Sequence, residues 1–209
     1  MIGVFGGTFD PIHFGHLRSA LEVLQGLNLD QVRFIPLHGA VHRNPPEVTP
    51  GLRLRMVETA IAGQPGFVAD DRELRRAGAS YTVDTLRDIR REQPDQMLCL
   101  MMGLDAFNGF ERWHLPEEIL QLAHLIVMQR PGETRLTPAA RQLLESRGCQ
   151  GVAELRELRS GGILLRSFTQ LQISATQIRD ILKAGRSPRY LLPDGVIELI
   201  TEHNLYASK

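Results

Sequence analysis

The sequence predicts an α/β fold, a doubly wound and mostly parallel sheet with helices on both faces, built as a single domain over residues 1–209. Three observations carry that expectation. Short apolar runs alternate with amphipathic segments along the chain. Most of these runs are apolar at successive positions, as strands covered on both sides must be. A length of 209 residues suffices for one good core and is short for two ordinary domains.

The strand runs, in order, are "IGVF" from Ile2, "QVRFIPL" from Gln31, "MLCLMMG" from Met97, "HLIVMQR" from His124 and "GILLRSF" from Gly162. Helix starts are announced by cap chemistry. Thr49 precedes Pro50 and Thr137 precedes Pro138, each placing a hydroxyl before a proline at the first helical position. The second of these helices is expected to stop at Gly148 in a left-handed turn. Ser174 and Gln177 form a capping box, Ile178, Ile181 and Leu182 the buried stripe, and Gly185 the stop. The longest stretch without periodicity, His38 to Pro50, reads as a functional loop. "RPGETRLTP", from Arg130, is a second surface loop.

Lys+Arg and Asp+Glu stand at 24 each, which argues against a polybasic surface for nucleic acid or membrane. All the cations but Lys183 and Lys209 are arginine, a residue that grips phosphate with two parallel hydrogen bonds once a partner is located. Cys99, inside an apolar run, reads as core, and two cysteines make no disulfide framework. With no leader pattern and no apolar run long enough to span a bilayer, a cytoplasmic protein is expected. A homo-oligomer stays open.

The chemistry concentrates in "GGTFDPIHFGHL", Gly6 to Leu17, where the first strand gives way to a helix. Ligands of α/β units sit beyond the carboxyl ends of strands. Gly6 and Gly7 are expected to let the backbone approach a ligand and take positive φ. The helix opening near His13 aims its free N–H groups at the same space. His13 and His16 are three apart, hence on one helical face. Each imidazole donates when neutral and protonates readily beside phosphate, its ordinary pKa being about 6.5. The stretch reads as a polyphosphate cradle. A Walker A loop would need a lysine, a dinucleotide fingerprint G-x-G-x-x-G, and a zinc pair further ligands.

These residues resemble the signature of the H-x-G-H nucleotidyltransferases, a superfamily shared with class I aminoacyl-tRNA synthetases. The full form G-G-T-F-D-P-x-H-x-G-H resembles the bacterial nicotinate-nucleotide adenylyltransferases in particular. "ISATQIRDILKAG", from Ile173, is a second helix start carrying hydroxyls and an arginine. It resembles the family's I-S-S-T-x-x-R motif, with Ala175 in place of the second serine. "MMGLDAF" matches its G-x-D motif at Gly103 and Asp105, where chemistry alone leaves ribose binding and helix capping equally open. "SYTVDTL", from Ser80, and the lone Trp113 match the segments that hold the pyridine ring, and a pyridinium favours a Trp face. "AVHRN" resembles the family's P-H-K segment, with Val41 and Arg43 replacing proline and lysine. The tail "YLLPDGVIELITEHNLY" matches the family's end.

The resemblance implies a Rossmann-like fold and transfer of AMP from ATP to nicotinate mononucleotide, giving nicotinic acid adenine dinucleotide and pyrophosphate. It implies Mg²⁺ with ATP as the cofactor and no protein metal site. His13, His16 and Arg179 would be catalytic. Gly6, Gly7, Thr8, Phe9, Gly103, Asp105, Ile173, Ser174 and Thr176 would bind ATP. His42, Arg43, Tyr81, Thr82, Thr85 and Trp113 would bind nicotinate mononucleotide. The alternative is adenylyl or cytidylyl transfer to another phosphate acceptor, such as phosphopantetheine.

Overall fold

The protein is described by a computed structural model for residues 1–38, 45–76, 78, 80–129, 135–169 and 171–207. The described residues form one six-stranded sheet: β1 (Ile2–Gly7), β2 (Gln31–Pro36), β3 (Phe67–Ala69), β4 (Leu98–Gly103), β5 (His124–Gln129) and β6 (Ile163–Ser167). Every neighbouring pair is parallel, in the order β3-β2-β1-β4-β5-β6. This is the doubly wound, Rossmann-like order, whose direction reverses between β1 and β4. All five expected strands are present. β3 was not expected, because "FVA" is three residues long and too short for a periodicity signal.

The alternation of side chains explains why the strand runs are apolar throughout. On one face Phe5, Val32, Phe34, Cys99, Met101, Ile126 and Leu164 pack under α1 (Phe14–Gly26), α2 (Pro50–Ile61), α8 (Val152–Glu157), α9 (Ala175–Lys183) and α10 (Asp194–Glu202). On the other, Ile2, Val4, Leu98, Leu100, Leu125 and Val127 meet α4 (Thr82–Glu92), α5 (Leu104–Phe107), α6 (Pro116–Leu122) and α7 (Pro138–Arg147). The short α3 (Arg72–Arg75) leads into α4. Burying both faces excludes water from the ladder, so each strand must be apolar at odd and even positions alike. Cys99 is fully buried, as expected.

The caps follow the sequence in part. Thr137 accepts from the Ala140 amide and Ser174 from the Gln177 amide. Thr49 makes no such bond, so α2 begins on the fixed φ of Pro50 alone. Gly148 stands at φ −67, not left-handed; its amide closes on the Leu144 carbonyl at 2.7 Å, so near that a Cβ would sit 2.5 Å from the same oxygen. Gly185 does stop α9 at φ +65. Many of the arginines are engaged by carboxylates, such as Arg33 and Arg72 with Asp70 and Arg87 with Glu118. No helix among the described residues is long and apolar enough to cross a membrane.

Candidate active site

The cleft lies over the carboxyl ends of β1 and β4, at the reversal of strand order. Two glycines there keep its floor open. A Cβ on Gly6 would meet nothing nearer than Leu37 at 4.0 Å, and one on Gly103 nothing within 4 Å. Neither Gly6 nor Gly7 has positive φ, contrary to expectation; the left-handed residue of this turn is Phe9, at φ +48. Gly7 is required for another reason. A Cβ on it would sit 2.8 Å from the Phe9 ring, which is buried and packs edge-on against His16 at 5.1 Å.

His13 is the N-cap of α1, and its amide donates to His16 Nδ1 at 3.3 Å. That bond makes Nδ1 the acceptor of the His16 ring and leaves Nε2 to carry the proton. The two rings stack, with centroids 3.8 Å apart and planes 25° from parallel. Burial lowers the His13 pKa to about 4. Burial and the neighbouring His13 charge lower that of His16 well below its ordinary value. Both imidazoles are therefore neutral donors at neutral pH, and His13 Nδ1 is buried with no partner. Gly15 makes the stack possible, since a Cβ there would lie 2.9 Å from His13 Nδ1 and 3.4 Å from the Ile173 carbonyl.

The same turn receives α9. Arg179 donates from Nη1 to the Asp10 carbonyl at 2.8 Å and from Nη2 to Thr176 Oγ1 at 3.3 Å. Its Nε pairs with Glu47 at 3.0 Å. Ser174 caps α9 beside Ile173, so the second anion site implied by the sequence stands against the first. Asp105 is exposed in the first turn of α5, whose N-cap is Gly103, so its carboxylate is not the cap of that helix.

At the far side of the cleft Tyr81 is the N-cap of α4, its ring centroid 4.4 Å from that of His114. Trp113 packs on Phe110 at 5.6 Å. Ser80 ties this corner to the end of β2 by accepting from the His38 amide at 3.1 Å. Thr82 opens α4 half-buried. Thr85 turns inward. Its buried hydroxyl donates to Glu73 at 2.6 Å and its amide to the Tyr81 carbonyl at 3.3 Å. The amides of Thr82 and Val83, ahead of it, are the ones helix geometry leaves for an outside partner. His42 and Arg43 lie outside the described residues.

Sequence reasoning missed Arg53. Its side chain has no exposed surface and donates to the carbonyls of Thr8 at 2.7 Å, Leu37 at 2.6 Å, His38 at 3.3 Å and Val48 at 3.2 Å. It pins the turn after β1 to the loop after β2. A lone arginine on an amphipathic helix carries no signal that distinguishes it from a solvated one. His114, exposed beside Trp113, was also missed.

An open-floored cleft at the reversal of a parallel sheet, with neutral paired imidazoles and an arginine at two helix starts, defines a nucleotidyltransferase. A family model described as cytidylyltransferase-like matches residues 4–181. A probable nicotinate-nucleotide adenylyltransferase of Methylococcus capsulatus is 47% identical over 209 residues, covering 99% of this chain and 100% of the relative. Another from Hydrogenovibrio crunogenus is 47% identical over 206 residues, covering 99% and 97%. Among solved structures, a Plasmodium falciparum nicotinic acid mononucleotide adenylyltransferase complexed with NaAD superposes with a TM-score of 0.73 at 17% identity, covering 98% and 96%, a likeness of fold. The chain belongs to the cytidylyltransferase-like family, and within it to the nicotinate-nucleotide adenylyltransferases.

Proposed function

We propose that the protein transfers AMP from ATP to nicotinate mononucleotide, releasing pyrophosphate and forming nicotinic acid adenine dinucleotide, a step of NAD biosynthesis. The observation that carries this reading is the stacked His13–His16 pair in the turn that also holds Arg179, in a chain 47% identical to relatives of that name.

The acceptor phosphate is anionic near neutral pH, so the site needs no general base to activate it. Direct in-line displacement forms the new O–P bond as the bond to pyrophosphate breaks, with no bond to the protein. The remaining work is to hold two polyanions in line and to stabilise charge growing on the leaving oxygens. His13 and His16 are assigned to the ATP phosphates, with the His16 Nε2 proton acting as the transition state forms. Thr8 fixes the α-phosphate. Arg179 and the Ser174 helix start take the pyrophosphate, which requires Arg179 to exchange Glu47 for phosphate oxygens. Gly103 and Asp105 face the ribose, and Tyr81, the first amides of α4 and Trp113 face the nicotinate.

Magnesium is proposed to enter with ATP as part of the substrate, held by phosphate oxygens and water. No group of three or more His, Cys, Asp or Glu among the described residues is arranged to hold a metal. Within the motif, both carboxylate oxygens of Asp10 are engaged, by Tyr206 and by the Glu47 amide.

The test is an acceptor panel with MgATP, read as pyrophosphate release. Nicotinate mononucleotide is expected to give the highest kcat/KM, above nicotinamide mononucleotide, phosphopantetheine and glycerol phosphate. Turnover of phosphopantetheine with nicotinate mononucleotide idle would overturn the reading.

A further inference from the structure

Asp10 stands between Thr8 and His13 in the chain and is 5% exposed. Three separate parts of the chain converge on it. Tyr206 donates its hydroxyl to Oδ1 at 2.6 Å, the Glu47 amide donates to Oδ2 at 2.8 Å, and Arg179 Nη1 donates to the backbone carbonyl at 2.8 Å. Each oxygen of the buried carboxylate thus accepts from a different part of the chain. It is a joint.

Tyr206 reaches that joint from the C-terminal tail at visible cost. The tail leaves α10 through Asn204 at φ +51, and Tyr206 itself stands at φ +60, a conformation that a bulky side chain adopts only when its surroundings hold it there. Its ring is 6% exposed within the core beneath α10 and α1, and burial with the adjacent Asp10 carboxylate raises its pKa, so the hydroxyl stays a donor. A strained backbone, a buried ring and a short hydrogen bond all serve one contact 196 residues away in sequence.

We infer that Tyr206 and Asp10 form a buried strut that sets the height of the phosphate cradle and of Arg179, making both positioning residues for the transfer. The inference rests on the proposed adenylyl transfer. Displacing a phosphate-holding turn by a fraction of an ångström misaligns in-line attack without removing any group that touches substrate.

The experiment compares Tyr206→Phe, which removes only the hydroxyl, with Leu199→Ala, which loosens α10 in the core and leaves both hydrogen bonds to the Asp10 carboxylate in place. kcat and KM for ATP and nicotinate mononucleotide are measured well below each variant's melting temperature. Tyr206→Phe is expected to lower kcat roughly tenfold with KM for nicotinate mononucleotide within twofold, while Leu199→Ala lowers the melt and keeps kcat. Unchanged kcat in Tyr206→Phe, or an equal loss in Leu199→Ala, would overturn the strut. If the wild type releases no pyrophosphate with any acceptor, the functional reading falls, and calorimetry with MgATP alone decides the strut. Binding at least threefold weaker in Tyr206→Phe supports it, and equal affinity ends it.

Discussion

Around His13 the chain is tied by side-chain hydrogen bonds, with Arg53 on four carbonyls, Asp10 on two donors and Arg179 on three partners. Around Trp113 it offers ring faces instead, Tyr81 against His114 and Trp113 against Phe110, at a half-exposed rim. The difference matches what each end must do. Stabilising charge on a reacting phosphate demands donors already in place. Recognising a flat pyridinium demands broad contact and a few amides, which tolerate small displacements.

The sharpest way to break the comparison is at Arg53. Arg53→Met leaves four carbonyls without their donor, that of Val48 fully buried, and is expected to cost about 3–5 kcal/mol of stability, roughly a 10 °C fall in Tm. A melt within 2 °C or so of wild type would mean that the cradle is not held this way.

Next comes pH. Folded His13 takes its proton only near about 4, whereas an unfolded histidine does so near 6.5. Between those values the unfolded chain binds more protons, so His13 contributes stability that is full above about 6.5 and is lost as pH falls toward 4. Denaturant melts at neutral pH and at pH 4.5 or so should differ less in His13→Asn than in wild type, by up to roughly 3 kcal/mol. Equal differences would place His13 in solvent.

His16→Ala is expected to lower kcat by about two orders of magnitude while circular dichroism stays native. Near-normal turnover would remove His16 from the chemistry. At the other end of the cleft the effect should be smaller. Nicotinamide mononucleotide sets an NH₂ against the first amides of α4, leaving a buried donor unpaired at about 1–3 kcal/mol, so kcat/KM should favour the acid at least about tenfold. Equal values would count against the roles given to Tyr81 and Trp113. Smallest of all, Glu47→Gln weakens the resting grip on Arg179 and should lower KM for ATP about two- to threefold, since a part-exposed ion pair contributes about 0.2–1 kcal/mol. A raised KM would show that Glu47 helps to place Arg179.

Much of this was legible in the sequence, and the reason differs by residue. The five longer strands showed because burial on two faces imposes apolar runs. His13, His16, Ser174 and Arg179 showed because a helix start with fixed spacing is a local pattern. Arg53, Asp10 and Tyr206 were hidden as a group because their partners are 45, 37 and 196 residues away, and no local pattern encodes a fold-back contact. Gly6 and Gly7 were expected to take positive φ and do not, whereas Gly185 does. Gly7 and Gly15 are there for the space a methyl group would fill beside Phe9 and His13.

The close packing at Gly15, which has the His13 ring on one side and the carbonyl of Ile173 on the other, has a bearing on synthesis. A nascent chain that has emerged only as far as β6 already owns its whole sheet and both histidines, yet nothing presses on them from the α9 side. The helix start that carries Ser174 and Arg179 is encoded only after the last strand, so a chain ending at β6 would hold both histidines and lack the arginine.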